Sequence, residues 1–217
     1  MRKIYHIHGR APLYCNTFLI ITNEGKGIVI DPDAPVADYQ KLLDKEGAKL
    51  THILLTHGHH DHIGSVNELQ QQGAQLWMNP NDVVMYSSKE QAARVFGQHY
   101  ANLYRQLPDG SAGFVPDGLF EDGGVIQVDE VEFKTIFTPG HTPGSTCILC
   151  DGMLFSGDTL FSGDIGRTDF PGGSMQQMKE SLKKLREMIE DDTEILPGHE
   201  GFTTMKQEKL YNPYLQA

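Results

Sequence analysis

The chain has 217 residues, 39% hydrophobic and 22% charged, with a net charge of −11 at pH 7, the make-up of an ordinary globular protein able to bury roughly 70% of its unfolded surface. No Lys/Arg cluster is present to neutralise phosphates, which excludes nucleic acid as an expected partner. The longest apolar runs are four or five residues, too short to cross a bilayer, and Met1-Arg-Lys-Ile-Tyr-His has no apolar stretch behind it to make a secretory signal, so a cytoplasmic location without membrane contact is expected.

Ile4-Tyr-His-Ile-His8 reads as a strand on which His6 and His8 share a face, solvated by default. Phe18 to Ile21 and Ile28 to Ile30, separated by Asn23-Glu-Gly-Lys-Gly27, form a hairpin. Asp31-Pro-Asp-Ala-Pro35 opens a helix over 36–46, with Tyr39, Leu42 and Leu43 as its apolar stripe and Gly47 as its end. Ile53-Leu-Leu55 is a strand buried on both faces, and it launches His57-Gly-His-His-Asp-His62. A helix over about 63–72, closed by Gly73, and a strand at 75–78 complete a βαβαβ order that implies parallel crossovers. Residues 79–118 differ from their surroundings. Met85 to Leu107 has helical composition, with Phe96, Tyr100 and Tyr104 at i, i+4 and i+8 as a packing stripe, and Pro108 to Pro116 is turn-rich. This excursion is expected over the mouth of a site, as lid or packing element. Strands follow at 125–128, 131–138, 145–150 and 153–156, then a helix over 174–190, a short strand at 194–196 and a tail. Cys147 and Cys150 have C-x-x-C spacing, but strand residues at i and i+3 point to opposite faces, so buried, inert thiols are expected. Two similar halves suggest one α/β domain over 1–217, with two packed sheets and helices outside.

The chemistry lies in the turns after strands. His57, His59, Asp61 and His62 crowd into six residues, and i, i+2 imidazoles share a side of an extended segment. Three later segments repeat the design: Thr138-Pro-Gly-His141-Thr-Pro-Gly, Ser156-Gly-Asp158-Thr, and Leu196-Pro-Gly-His199-Glu. A catalytic zinc usually takes three protein ligands plus water. Seven ligands with one bridging carboxylate therefore satisfy two divalent metals with a shared hydroxide. Imidazole and carboxylate donors without thiolate suit Zn, Fe or Mn and do not select among them; Zn is the expected ion, with Fe or Mn as alternatives.

These residues resemble the metallo-β-lactamase superfamily, whose T-H-x-H-x-D-H run is matched in full at 56–62, with the later His, Asp and His in the family's order. Thr138-Pro-Gly-His-Thr-Pro-Gly-Ser145 and Gly157-Asp-Thr-Leu-Phe161 resemble the glyoxalase II (hydroxyacylglutathione hydrolase) branch, and Gly166-Arg-Thr-Asp-Phe-Pro-Gly-Gly173 and the tail from Thr203 to Leu215 are closer still to the short bacterial glyoxalase II-like enzymes. The resemblance implies a four-layer αβ/βα sandwich with the site at the edge where the sheets meet. It also implies His57, His59 and His141 on a first metal, Asp61, His62 and His199 on a second, and Asp158 bridging. Asp31 matches the family's metal-orienting Asp, with a helix cap or turn as the alternative. His60 is at no ligand position and is expected to line the cleft or face solvent. Arg167 stands where glyoxalase II has a substrate-binding Lys; simple pairing with Asp164 or Asp169 is the alternative. Only 18 residues follow His199, where full-length glyoxalase II carries a helical domain that contacts glutathione. Gly201 also stands where that family has a substrate-contacting Tyr, so weak binding of glutathione thioesters is expected.

The expected function is a binuclear hydrolase of a thioester or related activated acyl compound. A metal-bridging hydroxide would attack, and Asp61 would orient it and take its proton. Two divalent ions, two carboxylates and a hydroxide sum to about +1, so a small anionic thioester is the expected partner. The Gly166-to-Phe170 run also resembles the persulfide dioxygenases, which use one iron on two His and an Asp, and this is the competing enzymatic expectation. An inactive metal-binding scaffold is a third, and β-lactam hydrolysis is not expected of a chain without an export signal.

Overall fold

The computed structural model describes residues 2–86 and 115–216. Twelve strands form two six-stranded sheets among these residues. The first sheet takes β1 (Lys3–His8), β2 (Asn16–Ile21), β3 (Lys26–Ile30), β4 (Lys49–Leu54), β5 (Gln75–Met78) and β6 (Gly118–Leu119), in that spatial order. β1 to β3 are antiparallel, and β3 to β6 pair in parallel. The crossovers run through α1 (Val36–Glu46) and α2 (Val66–Gln71), and α3 (Pro80–Tyr86) follows β5. The second sheet orders β7 (Val125–Val128), β8 (Val131–Phe137), β9 (Thr146–Cys150), β10 (Met153–Gly157), β11 (Glu194–Pro197) and β12 (Thr203–Thr204) edge to edge. Its one parallel pair, β10 with β11, is joined through α4 (Met175–Met188), and α5 (Met205–Tyr211) follows β12.

Burial separates three apolar layers. Phe18, Ile20, Ile28, Ile30 and Leu54 of the first sheet meet Phe133, Ile148 and Phe155 of the second in the middle layer. Leu19, Val29 and Ile53 face the other way, against Tyr39 and Leu43 of α1 and Val66 and Leu69 of α2. Ile136, Leu154 and Ile195 likewise pack on Met178, Leu182 and Leu185 of α4 and Met205 of α5. The result is the αβ/βα sandwich. Period-two alternation with both faces apolar produces it, because each fully buried Ile, Leu or Phe side chain contributes about 1.5–3 kcal/mol. Cys147 falls in the outer layer and Cys150 in the middle one, on opposite faces of β9, and both thiols are buried and unpaired.

The helix ends follow their local signals in most places. Gly47 closes α1 in the left-handed region at φ 64°, its N–H reaching back to Asp44 and Leu43. Ser174 caps α4 by accepting from the Gln177 N–H. Three expectations need correction. The helix placed at 63–72 begins only at Val66, because Ser65 gives its N–H to Pro32 O and its hydroxyl to Ala34 O, which ties it to the turn after β3. The tail contains α5, capped by the Thr204 hydroxyl accepting from Gln207 N–H. The excursion ends in β6, which extends the first sheet. Met85 and Tyr86 close α3, whereas the stripe of Phe96, Tyr100 and Tyr104 lies outside the described residues. Among the described residues no helix is long and apolar enough to cross a membrane.

Candidate metal centre

β3 and β4 run side by side and end together, so the turns that follow them are held next to each other. Asp31, the first residue past β3, sits at φ 50° with 2% exposure. Asp and Asn tolerate that conformation better than most residues. Its Oδ1 accepts from Thr56 N–H at 2.8 Å. Oδ2 accepts from the Thr56 hydroxyl at 2.6 Å and lies 2.9 Å from His62 Nδ1. With the His62 Nδ1–H donated to Asp31, Nε2 is the nitrogen left to face inward, where a cation can take the place of its proton. That Nε2 is buried without a hydrogen-bond partner, as is Asp158 Oδ1 at 3.5 Å from it.

A second convergence lies beside it. His59 Nδ1 is 3.1 Å from His57 Nε2 and 2.7 Å from His141 Nε2. The outer nitrogens of two of these rings are engaged. His141 Nδ1–H donates to Arg167 O at 2.7 Å, and His57 Nδ1–H donates to the Thr56 hydroxyl at 3.1 Å. Their inner nitrogens therefore present lone pairs to a common point. Burial, reinforced by the neighbouring imidazoles, pushes the His57 and His59 pKa values well below 6.5 and keeps both rings neutral.

Opposite them, Asp61 Oδ2 is 3.2 Å from His199 Nε2, whose Nδ1–H donates to Leu13 O at 3.2 Å. Asp158 spans the two groups: its Oδ1 faces His62, and its Oδ2 lies 3.4 Å from His141 Nε2 and 3.8 Å from His199 Nε2. Burial resists charge on Asp158, but the surrounding imidazoles hold its pKa down at about 2. Burial also resists charge on Asp61, and the bond from His199 with the charges of His62 and His60 keeps it well below the carboxylate range. Burial opposes a proton on His62, yet Asp31 and Asp158 at its two nitrogens lift its pKa above 6.5. Paired carboxylates and imidazoles with orphaned inward atoms are what a divalent cation neutralises, so this donor set fits metal. His57, His59 and His141 form one group able to hold an ion, and Asp61, His62 and His199 form another. Asp31, His57 and His62 also lie within ligand range of one another. Asp31 is already engaged by Thr56 and His62 Nδ1.

The remaining candidates fall around this centre. His60 has 29% side-chain exposure with Nδ1 3.7 Å from Asp61 Oδ1, at the cleft margin. Arg167 makes a two-pronged contact with Asp169 at 2.7 Å and lies 4.1 Å over the Phe170 ring. Phe170 stands 5.5 Å from the His59 ring, so this cation is carried at the edge of the site. His6 bonds Asn16 at 2.8 Å and stacks on Phe18 at 5.4 Å.

Several residues that shape the site were not legible in the sequence. Asn16 donates to Pro197 O and Glu200 O and pins the His199 turn to β2. Thr56 relays between Asp31 and His57, a role its place directly before the first His could have suggested. Asp82, wholly buried in α3, accepts from Gly58 N–H, Gly144 N–H and the Thr142 hydroxyl. Nothing local distinguishes it from any acidic residue in a helix's first turn. Gly198 permits the close approach of β10 and β11, since a Cβ there would collide with Asp158 Oδ1 and come within 2.6 Å of His62 Cε1.

The sequence model of the metallo-beta-lactamase superfamily matches residues 10–199. Hydroxyacylglutathione hydrolase GloC of Haemophilus influenzae is 34% identical over 207 residues, covering 93% of each chain. Among solved structures, the BLEG-1 B3 metallo-beta-lactamase superposes with a TM-score of 0.83 at 26% identity, over 99% of this chain and 100% of that one. A further protein, crystallised in a di-iron-bound form, gives 0.80 at 29% identity, over 97% and 100% of the two chains.

Proposed function

The chain belongs to the metallo-β-lactamase superfamily, and we propose that within it this protein is a two-metal hydrolase of a small thioester or similarly activated acyl compound. The observation that carries the proposal is Asp158, which lies between two complete ligand groups, with Oδ1 toward His62 of one and Oδ2 toward His141 of the other and His199. His57, His59 and His141 would hold one divalent ion, Asp61, His62 and His199 the other, and Asp158 both. Zinc is the ion we favour; the di-iron form of the relative keeps iron open. When bound, such a pair lowers the pKa of water from about 15.7 to about 7 and supplies hydroxide at neutral pH.

The chain's own groups then determine the rest. Asp61, ionised throughout the neutral range, would hold the second ion with one oxygen and keep the other to orient the attacking water and take its proton. A thiolate leaves without protonation, so no strong acid is needed opposite Asp61. Asp31 and Leu13 O hold His62 and His199 by their outer nitrogens, which limits reorganisation as charge develops. Arg167, held by Asp169 and Phe170 at the margin, would favour an anionic group on the substrate. The cytoplasm is the proposed location.

Metal analysis combined with S-D-lactoylglutathione turnover tests the reading. Two ions per chain and a loss of at least a hundredfold in His59→Ala are expected, and a loss below tenfold would sink the mechanism. A single iron per chain, with oxygen consumed on adding glutathione persulfide, would replace it by the dioxygenase.

A further inference from the structure

Asp82 has no place in the chemistry above, yet it is among the most deeply buried carboxylates in the chain, with 0% exposure. It sits in the first turn of α3, whose approach is fixed by Asn79. The Asn79 amide donates to Thr146 Oγ1 at 3.1 Å, and its carbonyl oxygen accepts from Asn81 N–H at 3.0 Å. Asp82 Oδ2 accepts from Gly58 N–H at 3.0 Å and from the Thr142 hydroxyl at 2.8 Å, while Oδ1 accepts from Gly144 N–H at 2.7 Å. Gly58 lies between His57 and His59, and Thr142 directly follows His141. One carboxylate thus grips both turns that carry the three converging imidazoles, though those turns belong to different sheets. Gly144 makes room for it, since a Cβ there would lie 2.5 Å from Asp82 Cγ. Three donors and no acceptor match an ionised carboxylate, and hydrogen bonds to charge are short and strong.

We infer that Asp82 is a positioning residue that locks the His57-Gly58-His59 turn to the His141-Thr142-Pro143-Gly144 turn, setting the spacing at which the three imidazoles share one ion. The inference rests on the metal reading above. Among the described residues, a backbone bond from the Thr146 N–H to Thr56 O also ties the two strand ends across the sheets, but it falls outside both turns.

The test compares the wild type with Asp82→Asn, Asp82→Ala and Leu185→Ala, the last a cavity control under α4 far from these turns. Zinc affinity is measured by chelator competition, cobalt absorption separates the three-imidazole site from its neighbour, and amide exchange follows Gly58 and Gly144. Asp82→Ala should weaken the three-imidazole site roughly 10–100-fold, as losing the partner of a ligating loop does elsewhere. It should change the Asp61–His62–His199 site less than threefold and strip protection from both glycine amides. Asp82→Asn, which keeps one acceptor oxygen, should fall between. Leu185→Ala should lower Tm while leaving both affinities and both amides as in the wild type. Asp82→Ala with both affinities within threefold of wild type, or affinities that simply track Tm across the set, would overturn the inference alone. A wild type that takes up no metal would overturn the underlying reading as well.

Discussion

Replacing Asp31 by Asn should damage the centre without displacing a single ligand. The backbone tolerates the change, because Asn is at ease near the observed φ of 50°. The hydrogen bonding is not so tolerant. Asn keeps a carbonyl oxygen for Thr56 N–H but places an NH₂ where Oδ2 now receives the Thr56 hydroxyl and His62 Nδ1–H. The Thr56 hydroxyl must then turn and donate to His57 Nδ1, and His62 must accept at its own Nδ1. Each ring moves its proton to Nε2, the atom that faces the proposed ion. Two hydrogen bonds to a charged acceptor, at about 1.5–3 kcal/mol each, predict a loss of about 3–6 kcal/mol of stability. At roughly 2–4 °C per kcal/mol for a chain of this size, Tm of the metal-free protein should fall by about 10 °C. Affinity for both ions should fall roughly 10–100-fold. Thermal unfolding in chelator and zinc competition measure the two effects. Zinc affinities within threefold of wild type would refute the tautomer argument, whatever Tm does.

Three other outcomes follow from named contacts. Gly198→Ala should push the His199 turn away from Asp158 and His62, at about 1–3 kcal/mol of strain, and lower the metal content of the purified protein; full occupancy by elemental analysis would count against the close approach. Arg167→Ala should reduce kcat/KM for an anionic thioester about two- to fivefold more than for a neutral aryl thioester, the effect being small because Asp169 already offsets the charge; equal losses on both substrates would mark Arg167 as structural. Burial lifts the Asp82 pKa from 3.8 to about 6, so the folded chain binds more protons than the unfolded one between those values. The stabilisation is complete below about pH 4 and lost as pH rises through about 6, a swing of about 3 kcal/mol. In metal-free protein the Tm difference between wild type and Asp82→Asn should shift in that direction between pH 4.5 and 7.5, and a pH-independent difference would contradict it.

The seven candidate ligands were legible because each stands in a turn directly after an apolar strand, and strand, turn and imidazole are all local features. The α1 helix was legible for the same reason, bounded by Pro35 and Gly47, as was the division of Cys147 and Cys150 between two faces. Local pattern failed where a residue's hydrogen bonds leave its own neighbourhood. Ser65 looked like part of a helix, yet its amide and hydroxyl serve the turn after β3. Asp82 looked like any acidic residue at a helix start, and only the meeting of two sheets brings Gly58, Thr142 and Gly144 to its oxygens. The grouping of the ligands is likewise tertiary. β10 lies beside β11 in one sheet and the end of β4 abuts them from the other, so Asp158 can face His62 with one oxygen and His141 and His199 with the other. Sequence determines which side chains each turn presents, since turn geometry depends on a few adjacent residues. Which of them meet depends on sheet register and on the packing of one sheet against the other, and those are properties of the whole chain.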